Sequence, residues 1–444
     1  MRVDSYSKRR QGESLLHAGG PRISSELGQY LRRLRLHAGL TQEELSERSG
    51  VSVRTIGNIE CDRIAQPRTT SIRALAEALG LSSGRLIQGG AVVTRTASPP
   101  IPDPWRVTPP FHIPYDALDF TGRQAAIADV RSIYRDRASA NRGDASPLVV
   151  TGAAGSGKTS FATHVAHRMR SDHPDGSVLL PLRGPGEGPL DSTEALARLV
   201  LLLGGPRLPD RFEAQLDWYR STTVNRRMMI IFDDAQDENQ ILPLLPDLRS
   251  CTVIVTGRRR LAGLAGSKRL ELEPFSGEES LELLRRILGA DRVGAEPVPA
   301  YELTTLCHGL PLALRLVGTK LASRPHWKLA DMVARLSDEA RVLDEISYKN
   351  RELRRLLAGA IRRVDPIAQR ILRRLGRSRE SRWTAGRAAA ILGMTLDETM
   401  ELLECLVEER LLVAAPPSHR GEIVYEFPNL LGVYARELAE TPFL

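Results

Sequence analysis

Gly152-Ala-Ala-Gly-Ser-Gly-Lys-Thr159 decides how this chain folds. The octapeptide matches G-x-x-x-x-G-K-[ST], a loop whose successive backbone N–H groups close around phosphate oxygens at the positive end of a helix. The flanks supply the setting such a loop needs. Pro147-Leu-Val-Val-Thr151 is short, apolar and β-branched, as a strand buried in a parallel sheet should be. Thr159 to Arg170 reads as a helix. Gly152, Gly155 and Gly157 free the turn to wrap a phosphate, with Ser156 and Ser160 beside them. Lys158 then reaches the β- and γ-phosphates, and Thr159 holds Mg²⁺. The expected ligands are ATP or ADP with Mg²⁺.

Downstream, the chain keeps supplying strands that end in charged residues. Arg227-Met-Met-Ile-Ile-Phe-Asp-Asp234 is apolar and closes on two acids. Asp233 is placed to complete the Mg²⁺ shell, and Asp234 to orient or activate a water. Cys251-Thr-Val-Ile-Val-Thr-Gly-Arg258 is another buried strand, with Arg258 at its carboxyl end, where open α/β sheets bind ligands. Arg259 and Arg260 read as a solvated charge run. Ser177 to Leu182 is a further strand and Asp191 to Leu203 a helix. Ser276-Gly-Glu-Glu279 is a capping box for a helix stopped by Gly289, and helices follow over Tyr301–Cys307 and Pro311–Ala322. Residues 328–363 read as charged helix without chemistry.

Upstream, residues 23–90 read as a compact helical bundle. Thr41-Gln-Glu-Glu44 is a capping box, Gly50-Val51 a turn, and Ser52 caps the next helix, Val53 to Glu60. Gly39 to Glu60, with Pro67 to Leu79, resembles the phage repressor/Cro-like helix-turn-helix family. That resemblance puts Leu45, Gly50, Val51 and Ile56 in packing roles. It puts Gln42, Ser52, Arg54, Thr55 and Asn58 at positions that face double-stranded DNA. Arg54 can pair with a guanine edge and Asn58 with an adenine edge. Arg63 and Arg68 suit phosphates, while Glu60 and Asp62 weigh against tight binding. Before the bundle, residues 1–22 read as a disordered basic arm, and residues 91–114 as a proline-rich linker.

Composition bounds the alternatives. The chain has 444 residues and a formal net charge of +8. Residues 1–98 hold 15 Lys+Arg against 9 Asp+Glu, so the basic surplus sits mainly in front. A basic front module fits a polyanionic partner. No apolar run approaches the ~18 residues that span a bilayer, and Met1-Arg-Val-Asp-Ser5 shows no secretory pattern. Cys61, Cys251, Cys307 and Cys405 are scattered, which suits a reducing cytoplasm and argues against zinc or disulfides. The expected location is cytoplasmic, and nucleoid-associated when bound to DNA.

From Pro366 the pattern changes. Helices over Pro366–Leu375, Thr384–Leu392 and Leu396–Glu409 precede a hairpin of Leu411–Ala415 and Glu422–Phe427. That order is a winged helix. Its third helix is acidic (Asp397, Glu398, Glu401, Glu404, Glu408 and Glu409), so it is read as regulatory packing rather than as a second DNA reader. The fold class expected is multidomain. An all-α helix-turn-helix bundle (23–90) is followed by an α/β P-loop domain with a parallel sheet (115–275). A helical subdomain (276–363) and a winged helix (364–444) complete it.

Phe120-Thr-Gly-Arg123, the phosphate loop, Ile231 to Ala235, Val253 to Leu261, Gly309-Leu-Pro-Leu-Ala-Leu314 and Tyr434-Ala-Arg-Glu-Leu438 occur in the order of the NB-ARC group of STAND-class NTPases. With the bundle in front, the chain resembles bacterial NB-ARC transcriptional regulators. The resemblance implies that Arg123 lies by the adenine, that Arg258 senses the terminal phosphate, and that Pro311 packs on the base or ribose. It also implies that the winged helix closes over ADP and that exchange for ATP permits assembly. Three positions depart from the family: Ala126 replaces an acid, Gly257 replaces a hydroxyl residue, and Pro428-Asn429 stands where a His-Asp pair is usual. Proline offers no donor to a phosphate, which predicts a weakened hold on ADP. The expected partners are DNA and further copies of the chain in a nucleotide-dependent homo-oligomer; no helical repeats follow the winged helix, which leaves open either a separate sensor protein or none. A slow switch ATPase, a turnover ATPase and a signalling scaffold remain open as activities.

Overall fold

The computed structural model describes residues 28–79, except 29, 30, 33, 37, 39, 62, 63, 65 and 66. It also describes residues 109–440, except 140–145, 185–187, 206–210, 379, 416–421 and 429. The basic arm, most of the linker, Arg63 and Asn429 lie outside the described residues. The chain divides into two units, Met1–Ile101 and Pro102–Leu444.

In the first unit, helices α1 (Gln42–Ser49), α2 (Val53–Glu60) and α3 (Thr69–Ala78) begin and end where the local chemistry requires. The Glu44 N–H donates to Thr41 Oγ1 at 3.1 Å and the Thr41 N–H to Glu44 Oε2 at 2.7 Å, closing the capping box. Gly50 stops α1 at φ 66°, where a side chain is disfavoured. Leu31, Leu45, Ile56, Ile59 and Leu75 form the core. Glu60, read from the sequence as weighing against tight DNA binding, is turned away from solvent. It is buried, and Arg35 grips it through Nε at 2.7 Å and Nη2 at 3.0 Å. Arg35 comes from sequence 25 residues earlier, which local patterning cannot reveal.

The second unit is built on a six-stranded, all-parallel sheet in the order β1-β3-β4-β5-β2-β6. The strands are β1 (Phe111–His112), β2 (Leu148–Thr151), β3 (Ser177–Pro181), β4 (Met229–Ala235), β5 (Thr252–Gly257) and β6 (Lys268–Glu271). β2 and β5 are buried throughout, and β4 at every residue but Asp234. That matches their unbroken apolar runs. Two strands escaped the sequence reading. β1 lies inside the stretch read as linker, and β6 is a charged edge strand. Helices α4 (Gln124–Ser139), α5 (Lys158–Arg168), α6 (Ser192–Leu202) and α7 (Phe212–Thr223) accompany the sheet. The phosphate loop thus joins β2 to α5, with the helix starting one residue earlier than expected.

Beyond the sheet come α8 (Gly277–Leu288), α9 (Pro297–Leu306), α10 (Pro311–Ala322), α11 (Leu329–Leu336) and α12 (Leu353–Arg362). The region 328–363, read as helical and charged, is largely helical and also contains a hairpin of Ser347–Tyr348 with Arg351–Glu352. Next are α13 (Pro366–Arg377), β7 (Arg382–Thr384), α14 (Ala385–Leu392), α15 (Leu396–Glu408), β8 (Val413–Ala415), β9 (Val424–Glu426) and α16 (Leu431–Glu440). β8, β9 and β7 form a small antiparallel sheet, one strand more than the sequence announced. One apolar cluster runs from Leu283 through Leu357 and Leu372 to Tyr434, so these helices and the small sheet share a core. Among the described residues, no helix is long and apolar enough to cross a membrane.

Candidate functional site

A cavity of about 660 Å³ opens where β4 and β5 end beside the phosphate loop. Its walls bring together Arg123, Gly155 to Ser160, Asp233, Asp234, Arg258 and Pro311, contributed by five separate stretches of sequence. Gly152 is not in the wall but shapes it. A Cβ there would stand 2.7 Å from the Leu272 carbonyl oxygen and from Ser156 Oγ. The loop glycines Gly155 and Gly157 sit at φ 84° and 90°, in the left-handed region that favours glycine.

The loop's polar groups are turned inward. Lys158 Nζ donates to the carbonyl oxygens of Gly152 and Ala153, both at 2.9 Å. Burial pushes the Lys158 ammonium down to about 8, with the Arg258 charge adding to the effect. Ser156 Oγ is buried and has no hydrogen-bond partner among the described residues. A buried orphan hydroxyl in a glycine-shaped loop, beside a lysine resting on the loop's own carbonyls, suits an anion that would engage them.

The acids occupy two different environments. Thr159 Oγ1 donates to Asp233 Oδ1 at 2.8 Å, and Thr256 Oγ1 donates to the same oxygen at 2.6 Å. Burial raises the Asp233 carboxyl, and the two hydroxyl bonds only partly offset it. A hydroxyl and a strand-end carboxylate in contact form the pair that would hold Mg²⁺. Thr256 also supplies a hydroxyl next to the position where Gly257 lacks one. The register of β4 against β5 slips between Phe232 and Ala235, a bulge that re-aims the acids. Asp234 sits in it at φ 60°. Its carboxylate receives Arg363 Nη1 at 2.9 Å and Nη2 at 2.8 Å, and stands 2.9 Å from Arg183 Nε. Burial pushes this carboxyl up, but Arg363, Arg183 and Arg258 outweigh burial and hold it below its ordinary value.

The walls carry six cationic side chains and three acids. Asp119 is matched by Arg315 at 2.8 Å and Asp234 by Arg363, so the balance left over is positive. Arg258 is 8% exposed. Burial and the neighbouring Arg363 push its guanidinium down to about 10. Asp234 and Glu409 offset this only in part, so an anion at this point would relieve the buried charge. The group therefore fits a polyphosphate.

Arg123 is fixed by contacts between distant segments. Its N–H donates to Glu279 Oε1 at 2.8 Å, and its guanidinium lies 4.8 Å from the centre of the Phe275 ring. Glu279 also closes the capping box of α8, accepting from the Ser276 N–H at 3.0 Å. Pro311 starts α10. Pro428 lines a small neighbouring cavity with Ala153, Ala154 and Arg258, next to the phosphate loop.

Two readings need correction. Arg259 is not part of a solvated run, because its Nε donates to Glu409 Oε1 at 2.5 Å, tying the end of β5 to the end of α15. Residues 328–363 are not without chemistry, because Arg363 reaches the strand-end acid. Sequence reasoning missed Arg363 and Arg183. Both are arginines in charged or loop-like stretches, 129 and 51 residues from Asp234, and nothing local marks them.

In the first unit, Ser52 and Arg54 are exposed, Thr55 and Asn58 half-buried. Ser52 Oγ accepts from the Thr55 N–H at 3.2 Å, so its role is at least that of a cap. Gln42 Nε2 donates to Glu60 Oε2 at 2.8 Å, joining the start of α1 to the end of α2.

Residues 26–87 match the helix-turn-helix domain family. The regulatory protein AfsR of Streptomyces griseus is 34% identical over 378 residues, 83% of this chain and 38% of that protein. Over that stretch the chain is similar to AfsR. AfsR of Streptomyces coelicolor is also 34% identical, over 74% of this chain and 33% of that protein. The chain thus spans little more than a third of the length of these relatives. A Walker-type ATPase of Pyrococcus abyssi shares the fold, with a TM-score of 0.50, 15% identity and coverage of 72% of this chain and 97% of its own. The chain carries a P-loop ATPase fold and, before it in sequence, a helix-turn-helix, as its motif order announced.

Proposed function

We propose that this chain is a DNA-binding transcriptional regulator switched by ATP and ADP, of the NB-ARC kind. The single observation that carries the reading is the positive cavity built on the phosphate loop, in a chain that also carries a helix-turn-helix domain. Lys158, Arg258 and the loop N–H groups would hold the phosphates, Thr159 and Asp233 the Mg²⁺, and Arg123 and Pro311 the base side. The bound nucleotide supplies a concentrated negative charge, and the protein's response to that charge is the switch. Ser52, Arg54, Thr55 and Asn58 would face DNA, with Gln42 bracing α1 against α2. The C-terminal helices and small sheet act as a winged helix that closes on the nucleotide. Pro428 beside the loop supports a weakened hold on ADP.

In this reading the chain is at most a slow ATPase. Asp234 is occupied by two arginines, which speaks against a turnover ATPase in this conformation. Coupling to DNA runs through assembly, because linked copies of one small reader bind by avidity. The test is DNA affinity and bound stoichiometry with ADP, with ATP and without nucleotide, across a salt series. The proposal expects a higher stoichiometry with ATP and affinity that falls steeply with salt. Identical curves in all three states would remove the switch.

A further inference from the structure

Arg363 follows the last residue of α12 directly and precedes Asp365, which caps α13. The three residues between the helices, Arg363, Val364 and Asp365, are therefore a short, fixed junction. Val364 beside it is buried in the shared core, and Asp365 Oδ1 accepts from the Ile367 and Ala368 N–H groups at 2.8 and 2.9 Å. From this junction the guanidinium crosses to the end of β4 and takes both oxygens of Asp234. The pair is a planar fork on a carboxylate, the geometry in which arginine binds best and also the one it uses on phosphate. It is largely shielded, with 23% of the Arg363 side chain and 31% of the Asp234 side chain exposed.

The pair is also crowded by like charge. Arg363, Arg258 and Lys158 all line one cavity and repel one another. Asp234 is the carboxylate that Arg363 pairs with among the described residues, and Arg183 stands 2.9 Å from the same carboxylate. An added dianionic phosphate near Arg258 would offer Arg363 a stronger partner than a carboxylate that is already shared.

We propose that Arg363 is the residue by which this chain tells a nucleoside triphosphate from a diphosphate, leaving Asp234 for the third phosphate. With a diphosphate the Arg363–Asp234 fork stays closed and pins the α12–α13 junction to the sheet. With a triphosphate the fork opens, Asp234 is left to Arg183, and the junction is released from β4. This inference rests on the nucleotide reading of the cavity. It assigns to the helices a direct sensor that lies outside the phosphate loop and the sheet.

The test compares the full chain with R363A, R363K and D234N. Fluorescent ADP and a non-hydrolysable fluorescent ATP analogue are titrated with Mg²⁺, and limited proteolysis follows the junction around residues 362–366. Loss of one charged fork from the triphosphate complex should weaken the ATP analogue about 10- to 100-fold in R363A while ADP changes less than about threefold. R363K keeps the charge without the fork and should fall between. D234N should cut at the junction with ADP as readily as the parent does with the ATP analogue. A K158A control separates the layers. If K158A loses both nucleotides but R363A keeps the parental ATP-to-ADP ratio, Arg363 is only a structural tether and the inference fails. If the parent binds neither nucleotide, the reading of the cavity fails and takes the inference with it. Melting curves establish that each variant is folded, and R363K with D234N carry the test should R363A not be.

Discussion

Lys158 makes nucleotide binding depend on pH in a calculable way. Its ammonium is buried against two loop carbonyls and pushed down to about 8. A phosphate needs the protonated form, and in the complex the phosphate charge restores the ammonium to its ordinary range. At pH 7.5 roughly three quarters of free protein carries the proton, and at pH 9.0 roughly a tenth. The Kd for ADP should therefore rise about eightfold between those values. The nucleotide's own phosphates are already ionised there and contribute little. Stability of the free protein must move the opposite way. The folded value lies below the unfolded 10.5, so the buried charge costs stability at low pH, and that cost is relieved as pH rises from about 8 towards 10.5. The assay is a fluorescent-ADP titration at fixed ionic strength and Mg²⁺, paired with melting curves of free protein. K158R is the control, because guanidinium does not titrate in this window. A parental Kd that stays flat from pH 7.5 to 9.0, or that shifts equally in K158R, would refute the role given to Lys158.

Three further outcomes follow from the packing. E60A leaves Arg35 buried without its carboxylate and should cost about 3–5 kcal/mol in the first unit, measured as an early unfolding step of the full chain. G376A places a Cβ 2.4 Å from the Ala435 carbonyl oxygen, so α13 and α16 must part; the C-terminal core should melt several degrees lower. R54A and N58A should each reduce specific DNA retention about tenfold while leaving the melting curve unchanged, because neither side chain is in the core.

Much of the fold was legible because it is written locally. Capping boxes at Thr41 and Ser276 fixed helix starts to the residue, and the unbroken apolar runs of β2, β4 and β5 marked buried parallel strands. β6 carries Lys268, Arg269 and Glu271 because an edge strand faces water, so it lacked the apolar signature. β1 is two residues long and follows prolines. At the site, the phosphate loop, Asp233, Asp234 and Arg258 were readable because one strand-turn-helix and two strand ends carry them. Arg363, Arg183 and the Arg35–Glu60 pair were not. Ion pairs between segments 25 to 129 residues apart depend on how the chain closes, and an arginine in a charged helix looks the same whether or not it has a partner.

The most direct test of the account is to compare K158A with the parent for DNA binding in the presence of ATP and Mg²⁺, by mass of the complex on a target duplex. The account predicts that the parent assembles to a higher stoichiometry with ATP and that K158A stays at its nucleotide-free level while remaining folded. K158A complexes of the parent's mass and affinity would contradict it.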